Sequence, residues 1–151
     1  MKKVNKLQLD QLDRKMGQFV NLPEPPAKGW IYAIRKTLGM SYRQIAKRLK
    51  ITPQSVQGFE KRELNKSITL KNLHEIAQSL NMRLVYGFVP RTGSIEKIIE
   101  DQAFAIARRI VMRTDTTMKL EDQGIPRERL EKAILELTHE IKQKMPRYLW
   151  D

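Results

Sequence analysis

The sequence predicts an all-α fold interrupted by one short strand, and three observations carry that expectation. Apolar residues recur at three- and four-residue spacing through most of the chain, the period of a helix with one buried face. Ser, Thr or Pro stands just ahead of several of these stretches, where helix starts favour them. A single stretch, Arg83-Leu84-Val85-Tyr86-Gly87-Phe88-Val89, instead alternates and is rich in β-branched and aromatic residues, as strands are.

Residues 5–20 read as an amphipathic helix carrying Leu9, Leu12, Met16 and Phe19. Pro23, Pro25 and Pro26 stop it and force an extended linker. A helix from Lys28 to Leu38 follows, with Trp30, Ile31 and Ile34 inward and Gly39 at its left-handed end. Ser41 caps a helix over 42–49, and Thr52 with Pro53 starts another that runs to about Arg62. Thr69 caps a helix over 70–80. After the strand over 83–89, Ser94 caps a long helix that the polar run Thr114-Asp115-Thr116-Thr117 is expected to break near Arg113. A last helix spans 126–144. Trp30 and Trp150 are expected to be packing residues rather than nucleobase stackers, and His74 and His139 to sit exposed on helices.

Composition narrows the function. The 151 residues hold no cysteine, which removes disulfides, thiol catalysis and most structural zinc. No apolar run reaches signal-peptide or membrane-span length, so a soluble, cytoplasmic protein is expected. There is no phosphate-loop or dinucleotide-binding motif, no His-Glu-x-x-His and no nucleophile–base constellation; neither an enzyme, a metal site nor a cofactor is expected. The formal charge of +12 is unevenly spread. Residues 1–62 hold 14 basic and 4 acidic side chains, a net +10, while 91–151 hold 12 and 11. A polyanion partner for the N-terminal part fits that asymmetry.

Residues 41–60, SYRQIAKRLKITPQSVQGFE, carry the most specific pattern. Two short helices across a tight turn must cross steeply, and the residues suit it. Ala46 is small at the crossing, Ile45 and Leu49 line the first helix, Ile51 plugs the turn, and Val56 and Phe59 anchor the second. The outer face of that second helix shows Gln54, Gln57 and Gly58. Glutamine amides can pair bidentately with adenine in the major groove, so these three are the expected base contacts. Tyr42, Arg43, Lys47, Thr52, Lys61, Arg62, Asn65, Lys66 and Lys71 are the expected phosphate contacts.

This pattern resembles the helix-turn-helix regulators related to phage lambda-type repressors and Cro, the XRE-like class, over residues 29–80. The resemblance implies double-stranded DNA as partner and an ion pair between Arg35 and Glu60, the positions where that family commonly pairs two helices. Lys50 departs from the family's usual turn glycine, at modest conformational cost. The wider chain is similar to the mobile mystery protein A group of bacterial mobile elements. That similarity rests on Gln11-Leu12-Asp13-Arg14-Lys15, Pro26-Ala27-Lys28-Gly29-Trp30, Ser67-Ile68-Thr69-Leu70-Lys71, Arg83-Leu84-Val85-Tyr86 and Arg147-Tyr148-Leu149-Trp150-Asp151. It implies an antitoxin-like autorepressor encoded beside a Fic-domain protein. An alternative is a protein-binding antitoxin that masks a Fic partner with its C-terminal helices. Two matches to the Ser/Thr-x-x-x-Glu inhibitory pattern, Thr92 to Glu96 and Thr117 to Glu121, lack the usual following Gly or Asn, and no inhibition is rested on them.

A lone strand leaves its backbone without a ladder. Residues 83–89 are therefore either an extended linker or a strand that pairs, through Leu84, Tyr86 and Phe88, with a second subunit. A homodimer would also suit a palindromic operator, since one such module reads a half-site. The expected organisation is an N-terminal helix and linker over 1–27, a helix-turn-helix domain over 28–82, and a strand with C-terminal helices over 83–151.

Overall fold

A computed structural model describes residues 6–120 and 124–151. Its helices are α1 (Lys6–Gly17), α2 (Trp30–Thr37), α3 (Tyr42–Leu49) and α4 (Pro53–Leu64). They continue with α5 (Leu70–Ser79), α6 (Ile95–Leu120), α7 (Arg127–Lys144) and a 3-10 turn, Arg147–Trp150. The chain divides into two compact units, one of residues 22–86 and one that joins the N-terminal 21 residues to 87–151. The N-terminal helix, expected to stand ahead of the DNA-binding core, thus belongs with the C-terminal helices.

In the first unit, α2 to α5 close around Ile31, Ile45, Ala46, Val56, Ile76 and Leu80. Ile45 and Val56 are wholly buried, the inward positions of the α3 and α4 stripes. Each fully buried branched side chain contributes roughly 1.5–3 kcal/mol of transfer free energy, so this six-residue core is what holds four short helices together. Trp30, expected on the apolar side of its helix, is exposed; Ile31 takes the buried position beside it.

In the second unit, α6 and α7 form an antiparallel pair whose core includes Ile99, Ala103, Ile106, Ile134 and Ile141. Leu149 of the 3-10 turn is wholly buried there, whereas Trp150 is exposed. Helix α1 packs Leu9 against this core and caps α6: the Asp13 carboxylate accepts the Ile95 and Glu96 N–H groups at 2.6 and 3.3 Å. A carboxylate is well placed there, because helix N-termini present unpaired donors and a positive dipole end.

One expectation about helix length is corrected. The polar run at 114–117 does not end the long helix, which continues to Leu120. The hydroxyls of Thr114, Thr116 and Thr117 donate back to the carbonyls of Ile110, Met112 and Arg113, which absorbs their polarity without breaking the helix. Asp115 is buried, accepts the Ile125 N–H at 3.1 Å and pairs with Lys119. Those bonds hold its carboxyl below the usual aspartate range. Residues 83–89, expected either as an extended linker or as a strand paired with a second subunit, take no regular secondary structure in the single chain. They form no strand, and no strand occurs among the described residues. Alternation alone cannot make a ladder without a partner, and none of the described residues supplies one; Tyr86 and Phe88 are exposed, and Leu84 is half-buried. Glu121, the end of one inhibitory-pattern match, lies outside the described residues. No described helix is long and apolar enough to cross a membrane.

Candidate nucleic-acid interface

The turn between α3 and α4 is built by capping. Ser41 accepts the Gln44 N–H while the Gln44 side chain accepts the Ser41 N–H, a reciprocal box that starts α3. Lys50 ends it in the left-handed conformation, φ 56° and ψ 43°, and the Ile51 N–H returns to the Ala46 carbonyl at 3.0 Å. That is the closure usually given to glycine; lysine adopts it here. Thr52 then accepts the Ser55 N–H at 3.1 Å, with Pro53 at the first position of α4. The start and angle of α4 are therefore fixed from both sides.

Its far end is held by a buried charge cluster. Arg35 Nε donates to Glu60 Oε1 at 2.5 Å, and Arg35 Nη2 reaches Glu60 Oε2 at 3.4 Å. Both side chains are only 9% exposed, so water does not screen the pair. The Tyr42 hydroxyl donates to Glu60 Oε2 at 2.8 Å, and the Arg35 guanidinium lies 4.1 Å from the Tyr42 ring centre. Arg35 Nη1 also donates to the Met40 carbonyl. One carboxylate on α4 thus ties α2 and α3 to it. Its hydrogen bond raises the Arg35 and Tyr42 pKa values above their ordinary levels, and burial adds to the rise at Tyr42. Tyr42, expected at a phosphate, turns its hydroxyl to this cluster instead.

Among the expected base contacts, Gln54 and Gln57 are exposed and Gly58 is half-buried. With Lys61 they occupy i, i+3, i+4 and i+7, one stripe of α4. Gly58 is less open than its lack of a side chain suggests. A Cβ there would meet Arg62 Nη1 at 3.2 Å, because the Arg62 guanidinium folds back, 5.1 Å from the Phe59 ring centre. Arg43, Lys47, Thr52, Lys61, Arg62, Asn65, Lys66 and Lys71 are all exposed. Thr52 is nonetheless occupied as a cap, and Asn65 Oδ1 accepts the N–H and hydroxyl of Ser67. Of the expected phosphate contacts, Arg43, Lys47, Lys61, Lys66 and Lys71 are exposed cations with no ion pair among the described residues.

Residues 31–86 match the helix-turn-helix family model. The chain carries a helix-turn-helix domain of the XRE class. Such domains belong to DNA-binding transcription regulators, and the match implies double-stranded DNA as the ligand of residues 31–86. Comparisons with curated proteins and with solved structures gave no match.

Three residues that position the helix-turn-helix domain escape a reading by motif. Glu63 sends its carboxylate to the N-terminus of α2, accepting the Trp30 and Ile31 N–H groups at 2.6 and 2.8 Å. Gly29 makes room for it: at φ 88° a Cβ would lie 2.9 Å from that carboxylate. The signal was available, because α2 has neither a capping side chain nor an acid in its first turn, and its free donors needed an acceptor. Gln44 is the second, three residues after the Ser41 cap. Arg48 is the third; it donates to the Ser79 carbonyl at 3.2 Å and so ties α3 to the end of α5.

Proposed function

We propose that this chain is a sequence-specific autorepressor that reads a palindromic operator as a homodimer. The observation that carries the proposal is the Gln54–Gln57 stripe on α4, an exposed amide face on a helix whose two ends are independently immobilised. A helix held at a fixed angle can be offered to the major groove without ordering cost, and each bidentate amide–adenine pair discriminates by roughly 1–3 kcal/mol. Gln54, Gln57 and the backbone at Gly58 face the base edges. Arg43, Lys47, Lys61, Arg62, Lys66 and Lys71 face the phosphates and supply salt-dependent affinity. Repression is steric: an occupied operator excludes polymerase.

Residues 83–89, through Leu84, Tyr86 and Phe88, are offered as a strand between subunits, supported by the exposure of Tyr86 and Phe88 and by backbone groups without a ladder among the described residues. The antitoxin-like role and the Fic-domain partner rest on the resemblance to the mobile mystery protein A group. A gel shift with the chain's own promoter against scrambled DNA at two salt concentrations tests the central reading. Preference for the promoter that survives at higher salt supports it. Equal affinity for both DNAs at each salt would leave only non-specific coating.

A further inference from the structure

The long helix α6 has two faces. One is buried against α7, with Ile99, Ala103, Ile106 and Ala107. The opposite face carries Ile98, Asp101, Ala105, Arg108 and Met112, all exposed. Their spacing of three, four, three and four residues is that of a coiled-coil seam, which ends before Asp115, the next position and a buried one. Phe104 flanks its middle and is 42% exposed.

The charges along this seam are opposite about its centre. Glu100 and Asp101 precede Ala105, and Arg108 and Arg109 follow it. Neither arginine forms an ion pair among the described residues. Asp101 is held only by Lys97, one turn earlier at 3.1 Å and half-exposed, an interaction weak enough to exchange.

We infer that this face is where a second copy of the chain packs, its own α6 running antiparallel across Ala105. A two-fold axis there sets Asp101 of each copy opposite Arg108 of the other, so the ion pair forms twice. The small Ala105 lets the helices approach, and Ile98 of one copy meets Met112 of the other at each end. Parallel packing would place Arg108 on Arg108, so the charges specify direction as well as partner. An unrelated partner would not require acid and base to be reversed about a small residue; a copy of the same helix does, because an isologous patch must complement itself. The inference deepens the homodimer reading and does not depend on residues 83–89.

Charge exchange in the full-length chain tests it, with analytical ultracentrifugation across a concentration series. D101R and R108D each turn both ion pairs into repulsions and should raise the dimer dissociation constant by at least about tenfold. Combining them restores opposite charges and should return the constant to near the wild-type value. Both positions are exposed, and unchanged circular dichroism will show that the fold persists. The inference is overturned if the wild-type chain is monomeric, if the single variants dimerise unchanged, or if the double variant fails to recover. An F88D variant measured alongside separates the alternatives, since loss of dimer there with none in the α6 variants would move the seam to residues 83–89. The gel shift reports separately on the regulator reading: wild-type operator preference beside unaltered dimerisation of every α6 variant sinks this inference alone.

Discussion

Replacing Glu60 by glutamine keeps the shape of the side chain and removes its charge, which isolates what the buried cluster contributes. Glu60 accepts from Arg35 Nε, Arg35 Nη2 and the Tyr42 hydroxyl. An amide keeps one oxygen for Arg35 Nε, but its nitrogen then faces another guanidinium donor. Breaking one partner out of a buried ion pair costs roughly 3–5 kcal/mol. The retained hydrogen bond shifts the expectation for E60Q down by about 1 kcal/mol, to about 2–4 kcal/mol. For a unit of this size, 1 kcal/mol corresponds to about 4–8 °C, so its melting transition should fall by roughly 8–32 °C. Calorimetry of the full-length chain reads this directly. Operator choice should hardly change at a temperature where the domain remains folded, because Glu60 points away from the Gln54–Gln57 stripe. An unaltered melting transition would refute the reasoning, and so would intact stability with a changed operator preference.

Further outcomes follow from the same contacts. Q57A should lose about 1–3 kcal/mol of discrimination between the operator and single-base variants, read by competition gel shifts; uniform weakening on all DNA would argue against a base contact. K47A or K71A should instead weaken all sequences alike and reduce the log–log salt slope by roughly 0.9. E63A leaves the Trp30 and Ile31 N–H groups without their acceptor and should cost about 0.5–2 kcal/mol, seen as faster hydrogen exchange at the start of α2. Asp115 has its pKa lowered by the Ile125 N–H and Lys119, so its stabilisation is present above the unfolded-state pKa and is lost as pH falls through the folded one. D115N should therefore flatten the acid limb of the stability profile. At Tyr42 the pKa is raised above its ordinary 10.0. Stability from that proton is complete below the unfolded value and disappears as pH rises through the folded one, so Y42F should remove this alkaline loss.

What the sequence made legible was local. Caps at Ser41, Thr52 and Thr69 announce themselves because a hydroxyl next to a helix start has one dominant use. The apolar stripe from Ile45 to Phe59 fixes how α3 and α4 meet. Contacts between distant residues were harder to see. Asp13 capping α6 spans 82 residues and Glu63 capping α2 spans 33; no periodicity encodes either. The misread break at Thr114–Thr117 has a different source. Threonine and aspartate compete with the helix backbone when exposed, but here the hydroxyls bond back to the preceding turn and the aspartate is buried. At 83–89 the alternating pattern records which side chains share a face and says nothing of whether a neighbouring strand exists.

The charge asymmetry also acquires a cause that composition could not give. Residues 22–86 hold 12 basic and 4 acidic side chains, a net +8. Two of those four acids, Glu60 and Glu63, are turned inward to hold helices together. The cluster around Glu60 takes Arg35 with it, so one positive charge is neutralised internally while Arg43, Lys47, Lys61, Lys66 and Lys71 stay in solvent. Folding therefore sorts part of the charge by role: Glu60 and Glu63 serve the framework, and most of the lysines and arginines are left to the surface. A polyanion approaching this unit meets few repelling groups, and its field adds to steering in proportion to that surplus. The same sorting explains why E60Q and K47A should separate cleanly in experiment. One removes a carboxylate that DNA never meets, and the other removes a cation that the fold does not need.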